Sequence, residues 1–77
     1  VDICSFRISE GSLLIGKTLG QINLRRHLGV SVVGIRRCSQ ILPNPGADML
    51  LQCKDILFVL GSSENISKFI STFSSSH

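Results

Sequence analysis

Seventy-seven residues, 43% of them hydrophobic and 17% charged, with a net charge of +3, describe one small, mildly basic globular domain and exclude intrinsic disorder. No apolar run approaches the roughly eighteen residues that a membrane-spanning helix needs, and nothing resembles a signal peptide. Cys4, Cys38 and Cys53 are odd in number, widely spaced and without a C-x-x-C pair; a zinc site is therefore not expected, and the cytosol is the expected compartment.

Taken in chain order, Val1 to Ser9 reads as a strand, with Cys4, Phe6 and Ile8 on one face and Ser5, Arg7 and Ser9 on the other. Ile3 breaks the pattern on the polar side. Because the chain starts on Val1 and is already strand-like there, residues 1–77 are expected to be a domain excised from a longer protein. Glu10-Gly11 turns the chain into the connector Ser12 to Lys17. Thr18, with Gln21 three residues on, spells a capping box. A helix is predicted from Thr18 to about Leu28, with Leu19, Ile22 and Arg26 on one flank, Leu24 and Leu28 nearby, and Gly29 as its C-cap. Gly20 weakens that helix.

Val30 to Cys38 is β-rich and predicts a strand that passes a turn at Ser39-Gln40 into Ile41-Leu42. Pro43 to Asp48 is a loop, Met49 to Leu51 a short strand candidate, and Cys53 to Asp55 a turn. Ile56 to Leu60 is a continuous apolar run and predicts a fully buried central strand. Ser62 or Ser63 caps a last helix whose stripe is Ile66, Phe69, Ile70 and Phe73. Ser74 to His77 reads as a frayed tail. The fold class is α+β: a small, mainly antiparallel sheet with two helices on one face, in the order β-α-β-β-β-α. Two short helices cannot cover both faces of Ile56–Leu60, so the other face, or the connector at Leu13-Leu14-Ile15, is expected to be buried by a second copy or a neighbouring domain.

Catalytic constellations are missing. The acids stand singly at turns and caps, His27 sits at a helix end, and no serine lies in G-x-S-x-G. Gly11 to Thr18 matches G-x-x-x-x-G-K-T, yet the interior Ser-Leu-Leu-Ile is bulky and apolar and the following helix is short, which suits packing better than wrapping phosphates. No catalytic residue, metal or cofactor is expected, and the domain is read as a non-enzyme. Each cysteine reads as a small buried hydrophobe. Arg25, Arg26, Arg36 and Arg37 suit an anionic partner. Nucleic acid is not expected, because Phe6, Phe58, Phe69 and Phe73 read as core and leave no exposed stacking platform.

Glu10-Gly11-Ser12, Ile15-Gly16-Lys17-Thr18-Leu19, Leu24-Arg25, Gly29 to Arg37, Pro43-Asn44-Pro45, Leu50 and Asp55 to Gly61 form an ordered set along nearly the whole chain. In this set the chain resembles the TrkA-C or RCK-C domain, the C-terminal regulatory domain of potassium transport proteins. Two positions depart from the family pattern: Lys54 stands where a glycine is usual before the acid of the last strand, and Leu13 where a proline is usual. The resemblance implies a dimerising cytosolic regulatory module attached to a membrane-embedded cation channel or transporter. In some members cyclic di-AMP binds at the interface between two copies. The matching positions are Leu14 and Ile15 in the connector, His27 at the helix end, Arg36 in the strand, and Pro43 and Asn44 in the loop. On this resemblance the apolar side chains sandwich adenine, and His27, Arg36 or Asn44 meet phosphate or base edges. For Leu14 and Ile15 the alternative is packing at the dimer interface, and for the whole domain it is a purely structural dimerisation module without a ligand.

Overall fold

The computed structural model describes residues 1–74, so the expected tail beyond Ser74 lies outside the described residues. Strands β1 (Asp2–Arg7), β2 (Ser31–Arg37), β3 (Gln40–Pro43) and β4 (Ile56–Gly61) form one antiparallel sheet in the order β1-β4-β2-β3. The most continuously apolar strand, β4, takes an inner position with a partner on each edge. Directly paired residues share a face. The pairs Cys4–Val59, Phe6–Leu57, Val32–Val59, Ile35–Leu57 and Ile35–Leu42 therefore define the inner face. Ile3, Arg7, Ile56, Phe58, Leu60, Arg36, Ile41 and Pro43 stand on the opposite, outer face.

The expectation of a fully buried β4 holds for one face only. Leu57 and Val59 are wholly buried, whereas Ile56 and Phe58 are half-buried and Leu60 is 37% exposed. The helices lie against the inner face alone, where Leu24, Ile66 and Phe69 close a core with Ile8, Leu14, Val30, Ile35, Leu51, Leu57 and Val59.

The single helix expected from Thr18 to Leu28 is two pieces, α1 (Leu19–Ile22) and α2 (Leu24–Leu28). Asn23 separates them at φ 48, a left-handed conformation that Asn tolerates better than most residues. The kink turns Leu24 into the core and leaves Arg26, expected on the packed flank, exposed. The capping box forms as read: the Gln21 amide donates to Thr18 Oγ1 at 3.2 Å and Gln21 Oε1 accepts from the Thr18 amide at 2.8 Å. Gly29 ends α2 at φ 70, and a Cβ there would fall 2.5 Å from Asn65 Nδ2.

Helix α3 (Ser63–Phe73) starts at Ser62, whose hydroxyl accepts from the Asn65 amide. Phe69 is wholly buried and meets the Phe6 ring edge-on at 4.9 Å. Ile70, expected on the packed stripe, is 39% exposed, whereas Ile66 and Phe69 on the same stripe are buried.

Met49 to Leu51 is not a strand. The segment pairs with the connector instead: the Gly16 amide donates to the Leu51 carbonyl, Leu51 to Lys17, Leu19 to Met49 and Gly20 to Ala47. Only the Thr18–Leu50 bridge is regular, since the connector curls into α1 before a ladder extends. The β2–β3 turn falls at Cys38-Ser39, one residue earlier than read, with Cys38 at φ 59 and exposed rather than buried. Cys4 and Cys53 are half-buried, all three cysteines are free, and burial pushes the Cys4 thiol pKa up.

Candidate functional site

The split between α1 and α2 opens a concavity with an apolar lining and a free guanidinium; a second one, of about 460 Å³, lies between the end of β1 and the Cys53-Lys54 turn. Asn23 turns the chain, Gly20 lets the 45–47 loop approach α1, and an open cleft of about 320 Å³ remains between them. A Cβ on Gly20 would come 3.0 Å from the Ala47 carbonyl oxygen, so a side chain there would push the loop back by a few tenths of an ångström. Leu19, Leu24, Val30, Val32 and Pro45 give the lining its apolar part, and Asn23, Arg25 and Ser31 its polar part.

Arg25 Nη2 donates to Ser31 Oγ at 3.3 Å, which steadies the guanidinium without neutralising it. Among the described residues the one ion pair is Arg37–Asp55, so Arg25 keeps its charge free for an anion. The Asn23 side chain makes no capping bond, leaving an amide donor and acceptor at the corner. Apolar walls with one amide and one guanidinium suit a small planar body carrying a phosphate or carboxylate. The volume is at the low end for ligand clefts, which run from about 300 Å³.

The six positions implied by the resemblance do not converge in one copy. Leu14 is wholly buried in the core and presents no surface to a ligand or a second copy, so its expected contact with either is corrected to core packing. Ile15 is 37% exposed on the connector. His27 is exposed on α2, in the helix layer. Arg36 and Pro43 are exposed on the outer sheet face, with the sheet between them and the helices. Asn44 follows at φ 47, donates its amide to the Val33 carbonyl, and adjoins Pro45 of the cleft. Asn23 and Arg25 were missed by sequence reasoning, which ran one helix through them. The available signal was an Asn, a residue disposed to the left-handed conformation, between two short apolar periods.

Arg37 and Asp55 were missed as a pair as well. Arg37 Nε and Nη2 donate to the two Asp55 oxygens at 3.0 and 2.7 Å, Nη2 also donates to the Leu50 carbonyl, and the Gln52 amide donates to Asp55 Oδ2. Burial pushes the Asp55 pKa up, but the Arg37 hydrogen bonds, the Gln52 amide and the guanidinium charge outweigh it, and the carboxyl lies below its ordinary value. With both charges satisfied, the pair is structural.

Residues 3–74 match the TrkA-C domain family. The chain is 35% identical over 69 residues to the potassium/proton antiporter subunit KhtT of Bacillus subtilis, covering 88% of this chain and 42% of that protein. It thus spans less than half the length of that curated relative. Among solved structures, the RCK_C domain dimer of S. agalactiae BusR in complex with cyclic di-AMP superimposes with a TM-score of 0.83 at 21% identity, covering 92% of this chain and 93% of that one. The RCK C domain of the potassium transport protein KtrA, also in complex with cyclic di-AMP, gives 0.86 at 19% identity, covering 94% and 82%. At these identities the two structures establish the shared α+β fold.

Proposed function

The chain belongs to the TrkA-C domain family, and from that premise we propose that it is the cytosolic regulatory module of a potassium or other cation transport protein, acting as a homodimer that senses a small anionic nucleotide. Cyclic di-AMP is the first candidate, since two neighbours in fold are complexes with it. The observation that carries the reading is the α1–α2 cleft, where an unneutralised Arg25 and a free Asn23 amide meet apolar walls. In this reading the domain performs no chemistry. Ligand acts only through unequal affinity for two arrangements of the dimer, and the difference passes to a pore or carrier.

Arg25 takes the phosphate-contacting role expected of Arg36, because Arg36 lies across the sheet from the helix layer. His27, two residues along α2 from Arg25, and Asn44, next to Pro45, are not among the residues that line the cleft; their proposed polar roles are toward ligand that extends beyond it. Ile15 keeps its role as an apolar contact from the connector, whereas Pro43, at the end of β3 on the outer face with Arg36, loses its role for the same reason as Arg36. The cleft is open and at the low end of ligand-site volumes, so in this reading a second copy completes the site.

Calorimetric titration of cyclic di-AMP into the chain, with light scattering on the same samples, tests this. The expected result is a dimer that binds one dinucleotide per pair of chains and loses it on Arg25→Ala, while Arg36→Ala binds as before. A dimer that ignores the dinucleotide leaves the structural dimerisation module as the reading, and a monomer in both conditions removes the basis of both.

A further inference from the structure

The sheet face turned away from the helices is apolar where an exposed antiparallel face ordinarily turns polar. Ile56, Phe58 and Leu60 stand at every second residue of β4, flanked by Ile3 on β1 and Ile41 on β3. Ile3 and Ile41 are each 61% exposed. Gly34 pairs with Phe58, and a Cβ there would stand 3.5 Å from Phe58 Cδ2, so the ring rests against bare backbone and the face stays shallow. From Ile56 to Leu60 the strip runs about 13 Å, the length of about nine residues of α-helix.

Charge selects the occupant. The strand residues of this face include two arginines, Arg7 and Arg36, and no acid. The two bracket Ile56 in one register row, and neither has a carboxylate partner among the described residues. A second copy would bring apolar area but only more guanidinium groups, all left unpaired. A helix with carboxylates beside an apolar stripe satisfies both features at once.

We propose that the outer face of the sheet docks an amphipathic helix of two to three turns whose apolar stripe is flanked by Asp or Glu. The stripe lies along Ile56, Phe58 and Leu60, and its carboxylates reach Arg7 and Arg36. The strip lies on the sheet face away from the helices and approaches the nucleotide cleft at Ser31, which pairs with Leu60; Arg25→Ala, which removes a cleft residue, tells the two proposals apart.

Two synthetic helical peptides of about three turns, with one Leu/Ile stripe and either Glu or Lys on both flanks, are the probes. Binding to the chain is followed by peptide fluorescence anisotropy and by amide shifts in nitrogen-15 NMR spectra. The Glu peptide is expected to bind, with shifts concentrated on the strands, and to bind about tenfold more weakly to Arg7→Glu and to Arg36→Glu. The double reversal is expected to prefer the Lys peptide. Both arginines are exposed and free of salt bridges, so these variants keep the wild-type melting curve, and Arg25→Ala leaves peptide binding unchanged. Equal binding of the two peptides, binding of neither, or a chain dimer that Ile41→Asp dissociates would each overturn the proposal.

Discussion

Asp55 is the buried charge on which three segments converge. Its carboxylate takes both arms of Arg37 from the end of β2 and the amide of Gln52, while Arg37 also holds the Leu50 carbonyl. Removing one member of a buried pair strands the other, so Arg37→Ala is expected to cost about 3 kcal/mol in urea denaturation, a large part of a small domain's stability. Because the Asp55 pKa is lowered on folding, its contribution is present above the unfolded carboxyl value of about 3.9 and is lost as pH falls through the lower folded value. Stability measured between neutral pH and strong acid should therefore drop below about pH 4, and Asp55→Asn should flatten that drop. One residue earlier, Lys54 sits at φ 75, its amide bonded to the Ile8 carbonyl. This left-handed position gives a physical reason for the glycine usual there in the family. Lys54→Gly should raise stability by about 0.5 kcal/mol, since relief of backbone strain exceeds the added unfolded-state entropy.

Among the elements, the α1–α2 corner holds the most information. α1 is four residues long and cannot sustain itself, so its cap and its bonds to the 47–49 segment set its place. Thr18→Ala is expected to cost about 1 kcal/mol by chemical denaturation, since it removes one half of the capping box. Asn23→Gly should leave stability nearly unchanged, because both residues accept a left-handed backbone. Asn23→Val should cost about 2 kcal/mol, because a β-branched residue at positive φ is strained. The same pair separates structure from binding: Asn23→Gly keeps the corner but removes the amide, so it should fold normally and bind cyclic di-AMP more weakly. The sheet shows the complementary case. β4 reads as a strand from its composition, but which of its faces is covered depends on where α3 lies.

At the scale of the whole molecule, the helices protect one side of the sheet and leave the other apolar and open. A domain of this size buries only about 60% of its unfolded surface, so what binds it shifts its stability measurably. Cyclic di-AMP at a hundred times its dissociation constant should stabilise the fold by about 2.7 kcal/mol, seen as a melting temperature several degrees higher and absent in Arg25→Ala. On the proposed homodimer reading, the melting temperature should also rise with the concentration of the chain.

The sequence by itself determined the fold class, the number and kind of the elements apart from the split helix and the strand candidate at Met49 to Leu51, the capping box at Thr18, the Gly29 stop and the family. These are local or ordered along the chain: periodicity, caps and glycines act over a few residues, and the quoted family positions keep their order. Tertiary structure alone decided the partners. β1 and β4 pair across some fifty intervening residues, Arg37 finds Asp55, and Met49 to Leu51 pairs with the connector instead of forming a strand. The same is true of the candidate site. Leu14 and Arg36 read alike as ligand positions, but packing buried one in the core and the strand register turned the other to the far face. Asn23 and Arg25 became a cleft only when the left-handed turn met the 45–47 loop, a meeting between segments some twenty residues apart that no local pattern encodes.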